Sequence, residues 1–196
     1  MNNKFLETIR CEDGKVFHLR YHQLRYEDVL RSLGCNEYKD LRTLIKPPEK
    51  GLYRCRLVYT IEDIEIEYIA YKKRDVKTLK LVFDDTIEYS KKYADREKIN
   101  ELFERRDGAD DILIIKNNRV TDTSIANVAF FNGKEWITPI HPLLKGTTQV
   151  RLLEEGKIIA KEIFVDELSS FTGLALLNAM IDFDIIAQEN IRDTYC

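Results

Sequence analysis

The stretch "FLETIRCEDGKVFHLRYHQLRYEDVLRSLG", Phe5 to Gly34, sets the fold class. It opens with a run of β-formers, turns at Asp13-Gly14 and continues into a second short strand. It then changes period: Leu24, Val29, Leu30 and Leu33 recur at roughly helical spacing, and Gly34 stands where a helix C-cap is expected. A hairpin followed at once by a helix predicts a mixed α+β fold. Working outward, "DLRTLI" reads as a helical turn stopped by Pro47-Pro48. "GLYRCRLVYT" and "IEIEYIAYK" alternate as a hairpin, and "LKLVF" is a further strand. Residues 1–86 are therefore expected to form a small N-terminal α+β lobe, and residues 87–196 a larger one. In the larger part a helix is predicted over Tyr93 to Arg106, then a hairpin turning at Asn117-Asn118 and another at Asn132-Gly133. A second helix should start near Thr147-Thr148 and end at Gly156. "IIAKEIFV" reads as a strand, "DELSSF" as a helical turn and "GLALLNAMID" as a buried strand running into a loop. Strands outnumber helices and come mainly as hairpins.

Composition narrows the class. The 196 residues are 44% hydrophobic, enough for one sizeable core or two small lobes. Charged residues make up 33%, mixed in sign, with a net charge of −3. That balance argues against a nucleic-acid partner, which calls for a basic face. No apolar run reaches membrane-spanning length, so no membrane partner is expected, and "MNNKFLETIR" has no apolar region of signal-peptide type. Cys11, Cys35, Cys55 and Cys196 are scattered, with no zinc-like spacing, so no metal site is expected. Reduced thiols in a cytoplasm are the simplest reading.

Four pieces could carry chemistry. "LLKGTTQ" puts Gly146, Thr147 and Thr148 at a helix start, where free N–H groups and the positive dipole end suit a phosphate. It is equally an ordinary capped helix start. "RVTDTSIANVAFF" sets Asp122 and Asn127 around a turn, which such residues favour for turn chemistry alone. "HLRYHQLR" places His22 and Arg25 three apart on one helical face, a spacing that also suits a structural pair. "IEYSKKYADREKINELF" carries Lys91 and Lys92 ahead of a helix-like run.

Taken together and in order, these pieces resemble the class IV aminotransferase family of pyridoxal-phosphate (PLP) enzymes. "FLETIRCEDGKVFHLRYHQLR" is similar to the family opening, an "ETIR"-type strand followed by H-x-x-R. "KYADR" is similar to the K-x-x-N-R of the 4-amino-4-deoxychorismate lyases. "VTDTSIANVAFF" resembles V-T-E-x-x-x-x-N-x-F, "WITPIHPLLKGTTQ" resembles T-P-x-x-x-x-L-x-G-I-T-R, and "LLNAMI" resembles the lyase-type N-A-L-M segment. The likeness runs through nearly the whole chain. It implies a two-lobed, D-amino acid aminotransferase-like fold, shortened in the N-terminal lobe.

The resemblance also implies roles. Lys92 falls on the lysine whose primary amine condenses with the PLP aldehyde and then shuttles a proton, so Lys92 rather than Lys91 is the catalytic candidate. Arg25 falls on the arginine that takes the PLP phosphate, whose oxygens match a guanidinium fork. Thr147 and Thr148 complete that cup, and Asn127 and Asn178 lie in segments that approach the cofactor. Asp122 stands where the family has a glutamate paired with the pyridine nitrogen, and is one methylene shorter. Gln149 replaces the arginine that follows G-I-T. Family members pair as homodimers in which each site borrows residues from its neighbour. The implied activity is that of 4-amino-4-deoxychorismate lyase, giving 4-aminobenzoate and pyruvate in folate synthesis. Glu97, five after Lys92, stands where the branched-chain enzymes carry a tyrosine. Two alternatives remain: an aminotransferase acting on a branched-chain or D-amino acid with the same cofactor, and a shortened homologue that has lost catalysis and acts as a binding or structural protein.

Overall fold

A computed structural model describes residues 4–188. The chain divides into two compact units: residues 1–73 with 91–95, and residues 74–90 with 96–196.

The first unit is built on an antiparallel sheet of order β2-β1-β3-β4. Its strands are β1 (Phe5–Glu12), β2 (Lys15–Val16), β3 (Leu52–Tyr59) and β4 (Ile64–Ala70). Asp13 and Gly14 both take positive φ, 47° and 76°, and this two-residue turn pairs Glu12 with Lys15. Every second residue of β1 is buried: Phe5, Glu7, Ile9 and Cys11. They pack with helix α1 (Leu19–Ser32) through Tyr26, Val29 and Leu30. Gly34, at φ 83°, closes the helix, donating to the Arg31 carbonyl while Cys35 donates to the Leu30 carbonyl. The buried stripe is narrower than the sequence pattern suggests, since Leu24 is 43% exposed and Leu33 39%. Helix α2 (Leu41–Leu44) is one turn, capped by the Asp40 carboxylate on the Arg42 N–H at 2.9 Å.

Residues 91–95 complete this unit. The Leu6 N–H donates to the Lys92 carbonyl at 2.8 Å and the Ala94 N–H to the Lys4 carbonyl at 2.9 Å. Phe5 and Tyr93 form an antiparallel bridge with ring centroids 5.5 Å apart. The helix expected from Tyr93 therefore starts only at Glu97, because pairing with β1 takes the backbone groups that a first helical turn would need.

The second unit holds an eight-stranded mixed sheet. Along it run β10 (Ile159–Lys161), β9 (Trp136–Pro139), β8 (Asn127–Phe131), β7 (Arg119–Thr123), β6 (Asp111–Lys116) and β5 (Leu79–Phe83), in that order. β11 (Gly173–Asn178) pairs with β8, and β12 (Asp182–Gln188) with β11. The loop expected after β11 is thus a tight turn into a further strand. "LKLVF" joins this sheet as β5, parallel to β6. The "DILIIK" run of β6 is buried on both faces, which accounts for its unbroken apolar character. Leu113 and Ile115 pack with Leu79, Val128, Phe130 and Leu176, while Ile112 and Ile114 pack with Ile99 and Leu102 of helix α3 (Glu97–Glu104). Helix α4 (Thr147–Glu154) sets Leu152 against Ala129 and Leu177. A 3-10 turn (Val165–Ser170) precedes β11.

The two faces of α1 offer a direct check. Leu30→Ala, which empties a fully packed position, should cost about 2–5 kcal/mol. Leu24→Ala, in the same helix, should change stability by no more than about 0.5 kcal/mol. Urea unfolding of the whole chain measures both.

Candidate active site

In the first unit the candidate residues gather around a buried carboxylate. Strand alternation turns Glu7 toward α1 and buries it completely. Arg25 donates from Nε to Oε1 and from Nη2 to Oε2, each at 2.7 Å, so the pair is bidentate. One helical turn earlier on α1, His22 Nδ1 lies 2.6 Å from Oε2. Burial alone would raise the Glu7 pKa, but the Arg25 charge and the hydrogen bonds from His22 and Arg25 outweigh it. They hold the carboxyl at about 2, from an ordinary 4.5.

His22 is lowered from its ordinary 6.5, chiefly by burial and further by the charges of Arg25 and Lys92, against the opposing pull of Glu7. The ring is therefore neutral near pH 7. An ionised carboxylate can only accept, so Nδ1 carries the hydrogen and Nε2 the lone pair. Nε2 is buried with no hydrogen-bond partner among the described residues. Lys92, held by its backbone beside the N-terminal end of β1, bears on this group through its charge.

In the second unit the candidates converge on the turn between β7 and β8. Thr123 folds it: its N–H donates to the Ala126 carbonyl at 2.8 Å, and its hydroxyl accepts from the Ala126 N–H at 3.0 Å. This pairs Asp122 with Asn127 across the strands. Asp122 Oδ1 accepts from Asn127 Nδ2 at 2.8 Å, and Oδ2 accepts from the Leu144 N–H at 2.9 Å. Asn127 Nδ2 also donates to the Leu144 carbonyl at 2.8 Å. The carboxylate and the loop leading to α4 are thus locked together. Gly146 is required there, since a Cβ would stand 1.9 Å from Asn127 Oδ1. Gly146 caps α4 without a side-chain hydrogen bond, and Thr147 and Thr148, which open the helix, are buried. Asn178 reaches the same turn by donating to the Ile125 carbonyl at 3.3 Å, while its Oδ1 accepts from the N–H groups of Met180 and Ile181. Gln149 points elsewhere, bonding Thr138 Oγ1 at 2.8 Å and the Pro139 carbonyl at 3.2 Å.

Three residues that serve these clusters escaped the sequence reading. Glu7 is one, although a charge at a buried-parity position of β1 was a usable signal. Arg96 was noted only as a motif letter, yet its guanidinium grips the Ser124 carbonyl. Asp111 is buried, and burial raises its carboxyl pKa. Oδ1 accepts from the N–H groups of Ile112 and Ser124, at 2.8 and 3.3 Å, while Oδ2 has no partner among the described residues.

Residues 90–187, half of the chain, match the family model described as amino-transferase class IV. The chain belongs to that family. An uncharacterized protein of Haemophilus influenzae is 43% identical over 180 residues, covering 89% of this chain and 96% of that one. The crystal structure of a "putative 4-amino-4-deoxychorismate lyase" from Haemophilus somnus 129PT is 38% identical with a TM-score of 0.86, covering 92% of this chain and 97% of that one. The branched-chain amino acid aminotransferase of Escherichia coli, at 14% identity and a TM-score of 0.76, shares the fold. The chain is thus a class IV enzyme of mixed α and β structure, short by the measure of the wider family and similar in length to its two Haemophilus relatives. No helix among the described residues is long and apolar enough to cross a membrane.

The ionisation of the first cluster makes stability depend on acid. His22 and Glu7 both have folded-state pKa values below their unfolded ones, so each contributes stability above the unfolded value and loses it as pH falls. Melting temperature should therefore drop below about pH 6.5 as the unfolded state takes up the His22 proton. It should drop further between 4.5 and about 2 as Glu7 is protonated. His22→Asn should flatten the first decline and leave the second. Calorimetric melts from pH 7 to 3 read both.

Proposed function

We propose that this enzyme is a PLP-dependent lyase that converts 4-amino-4-deoxychorismate into 4-aminobenzoate and pyruvate. The observation that carries the reading is the 38% identity, over 97% of its length, to the Haemophilus somnus structure that bears the name of such a lyase. A "putative aminodeoxychorismate lyase" of Schizosaccharomyces pombe, 28% identical over 166 residues, points the same way. PLP-bound crystals of a Mycobacterium tuberculosis relative share the fold, at 17% identity.

The residues present suit PLP. α4 begins at a glycine with no side-chain cap and buried threonines, a helix end that would take a phosphate. Arg25 would add its charge to that phosphate, and Thr147 and Thr148 their donors. Asp122, held by two donors of which Asn127 is one, would face the pyridine nitrogen, with Asn178 bracing the neighbouring turn at Ile125. Lys92 would supply the amine that carries the group.

When bound, PLP supplies an aldehyde for the substrate amine and a ring that accepts electron density. The chain supplies the rest. Lys92 Nζ takes the proton from the amine-bearing ring carbon. The bond from the adjacent carbon to the enolpyruvyl oxygen breaks, the ring becomes aromatic, and the proton passes to the departing three-carbon unit, which leaves as pyruvate. Asp122 keeps the ring nitrogen protonated while charge develops, an effect exerted mainly in the transition state. In this reading the enzyme works as a homodimer in the cytoplasm, where the free thiols Cys11, Cys35 and Cys55 stay reduced.

Borohydride treatment of the protein with PLP, followed by peptide mapping, should place the pyridoxyl group on Lys92. An adduct on Lys91, or none at saturating PLP, would sink the assignment. With 4-amino-4-deoxychorismate the enzyme should release pyruvate with no keto-acid acceptor present. A strict need for an acceptor would make it an aminotransferase instead.

Asp122→Asn should still bind PLP but lose roughly a hundred-fold in kcat, the scale of a single transition-state charge contact. Unchanged turnover would leave Asp122 as a turn residue only.

A further inference from the structure

The phosphate reading of Arg25 leaves unexplained why this arginine shares a buried carboxylate with a buried histidine. Glu7 accepts two bonds from Arg25 at 2.7 Å and one from His22 at 2.6 Å, so both of its oxygens are engaged. Glu7 and His22 are at most 1% exposed, while the Arg25 side chain retains 15%. The arginine is thus clamped at one edge of its fork, Nε and Nη2.

We propose that Glu7 and His22 are positioning residues for Arg25: His22 holds the Glu7 carboxylate, and the carboxylate fixes the guanidinium in the orientation that takes the phosphate group of PLP. The inference rests on Arg25 being a phosphate ligand.

The histidine itself argues for it. Its Nε2 is buried without a hydrogen-bond partner among the described residues, which costs stability. Leucine or phenylalanine would fill such a position without that cost. What histidine adds is an Nδ1–H bond to Glu7 Oε2, the oxygen that also accepts from Arg25 Nη2. A carboxylate held by two residues has less freedom to swing, and so has the guanidinium bound to it. An arginine on a long flexible stem gives up side-chain freedom when it takes a ligand, and here that freedom is already lost in the fold.

The proposal opposes a simpler electrostatic expectation. Glu7 partly neutralises Arg25, so removing its charge would on Coulomb grounds alone strengthen phosphate binding. If orientation dominates, removal weakens it.

The test titrates the full chain, stripped of cofactor, with PLP, pyridoxal and inorganic phosphate. Glu7→Gln and His22→Phe should weaken PLP binding by about ten-fold, the scale of one charge-assisted contact, and weaken inorganic phosphate in parallel. Pyridoxal, which has no phosphate, should bind within about two-fold of wild type. His22→Asn, whose amide nitrogen falls near the place of Nδ1, should recover most of the PLP affinity. His22→Gln, whose amide falls near Nε2, should not. That last contrast serves alone if Glu7→Gln does not fold. Arg25→Ala separates the two failures. If it leaves PLP affinity unchanged, the phosphate reading of Arg25 is wrong. If it weakens PLP while Glu7→Gln binds PLP as well as wild type or better, positioning is wrong. Variants that melt lower but keep the PLP-to-pyridoxal affinity ratio overturn it as well, since that is what a merely structural pair would do.

Discussion

A carboxylate cut off from water has to be answered by charge and hydrogen bonds, and Glu7 is answered by both. Its partners come from one helix, at positions three apart, while Glu7 itself comes from the neighbouring strand. This pairing sets the face that α1 presents to β1, because a rotation that broke it would leave a buried anion unpaired. The same strand carries the backbone pairing with residues 91–95, so the segment that holds Lys92 is placed by β1 as well. The first unit is thus organised around a strand whose buried face includes one charged residue.

The second unit relies on a different constraint. β6 is buried on both faces along Asp111–Ile115. The turn that follows β7 is gripped by Asp111, Arg96 and Asn178, which come from three separate parts of the chain. Asp122 and Asn127 lie on either side of that turn, and Leu144 closes the loop toward α4. Asp122 is fixed by this closure: each of its oxygens has a donor, and Gly146 lets the backbone come against Asn127.

Much of this was legible in the residues. The Asp13-Gly14 turn, the Gly34 helix end, the hairpins at Asn117-Asn118 and Asn132-Gly133 and the start of α4 at Thr147 follow from local chemistry and lie where it puts them. Gln149 announced itself as a substitution, and its bonds to Thr138 and Pro139 give it a structural task. Other expectations gave way. The helix expected from Tyr93 gave way to pairing with β1, the loop after β11 became the turn into β12, and Leu24 and Leu33 fell outside the buried stripe. Of these, the first was decided by a partner distant in sequence.

The sequence by itself determined the periods, the turns, the helix ends and the order of motifs that marks the class IV family, because these depend on residues within a few positions of one another. Only the tertiary structure decided that Glu7 is the shared partner of His22 and Arg25, that Lys92 lies along β1, and that Arg96, Asp111 and Asn178 meet at one turn. Those are contacts between residues 13 or more positions apart, and which of the available partners a buried charge takes is settled by what the packed chain brings within reach of it.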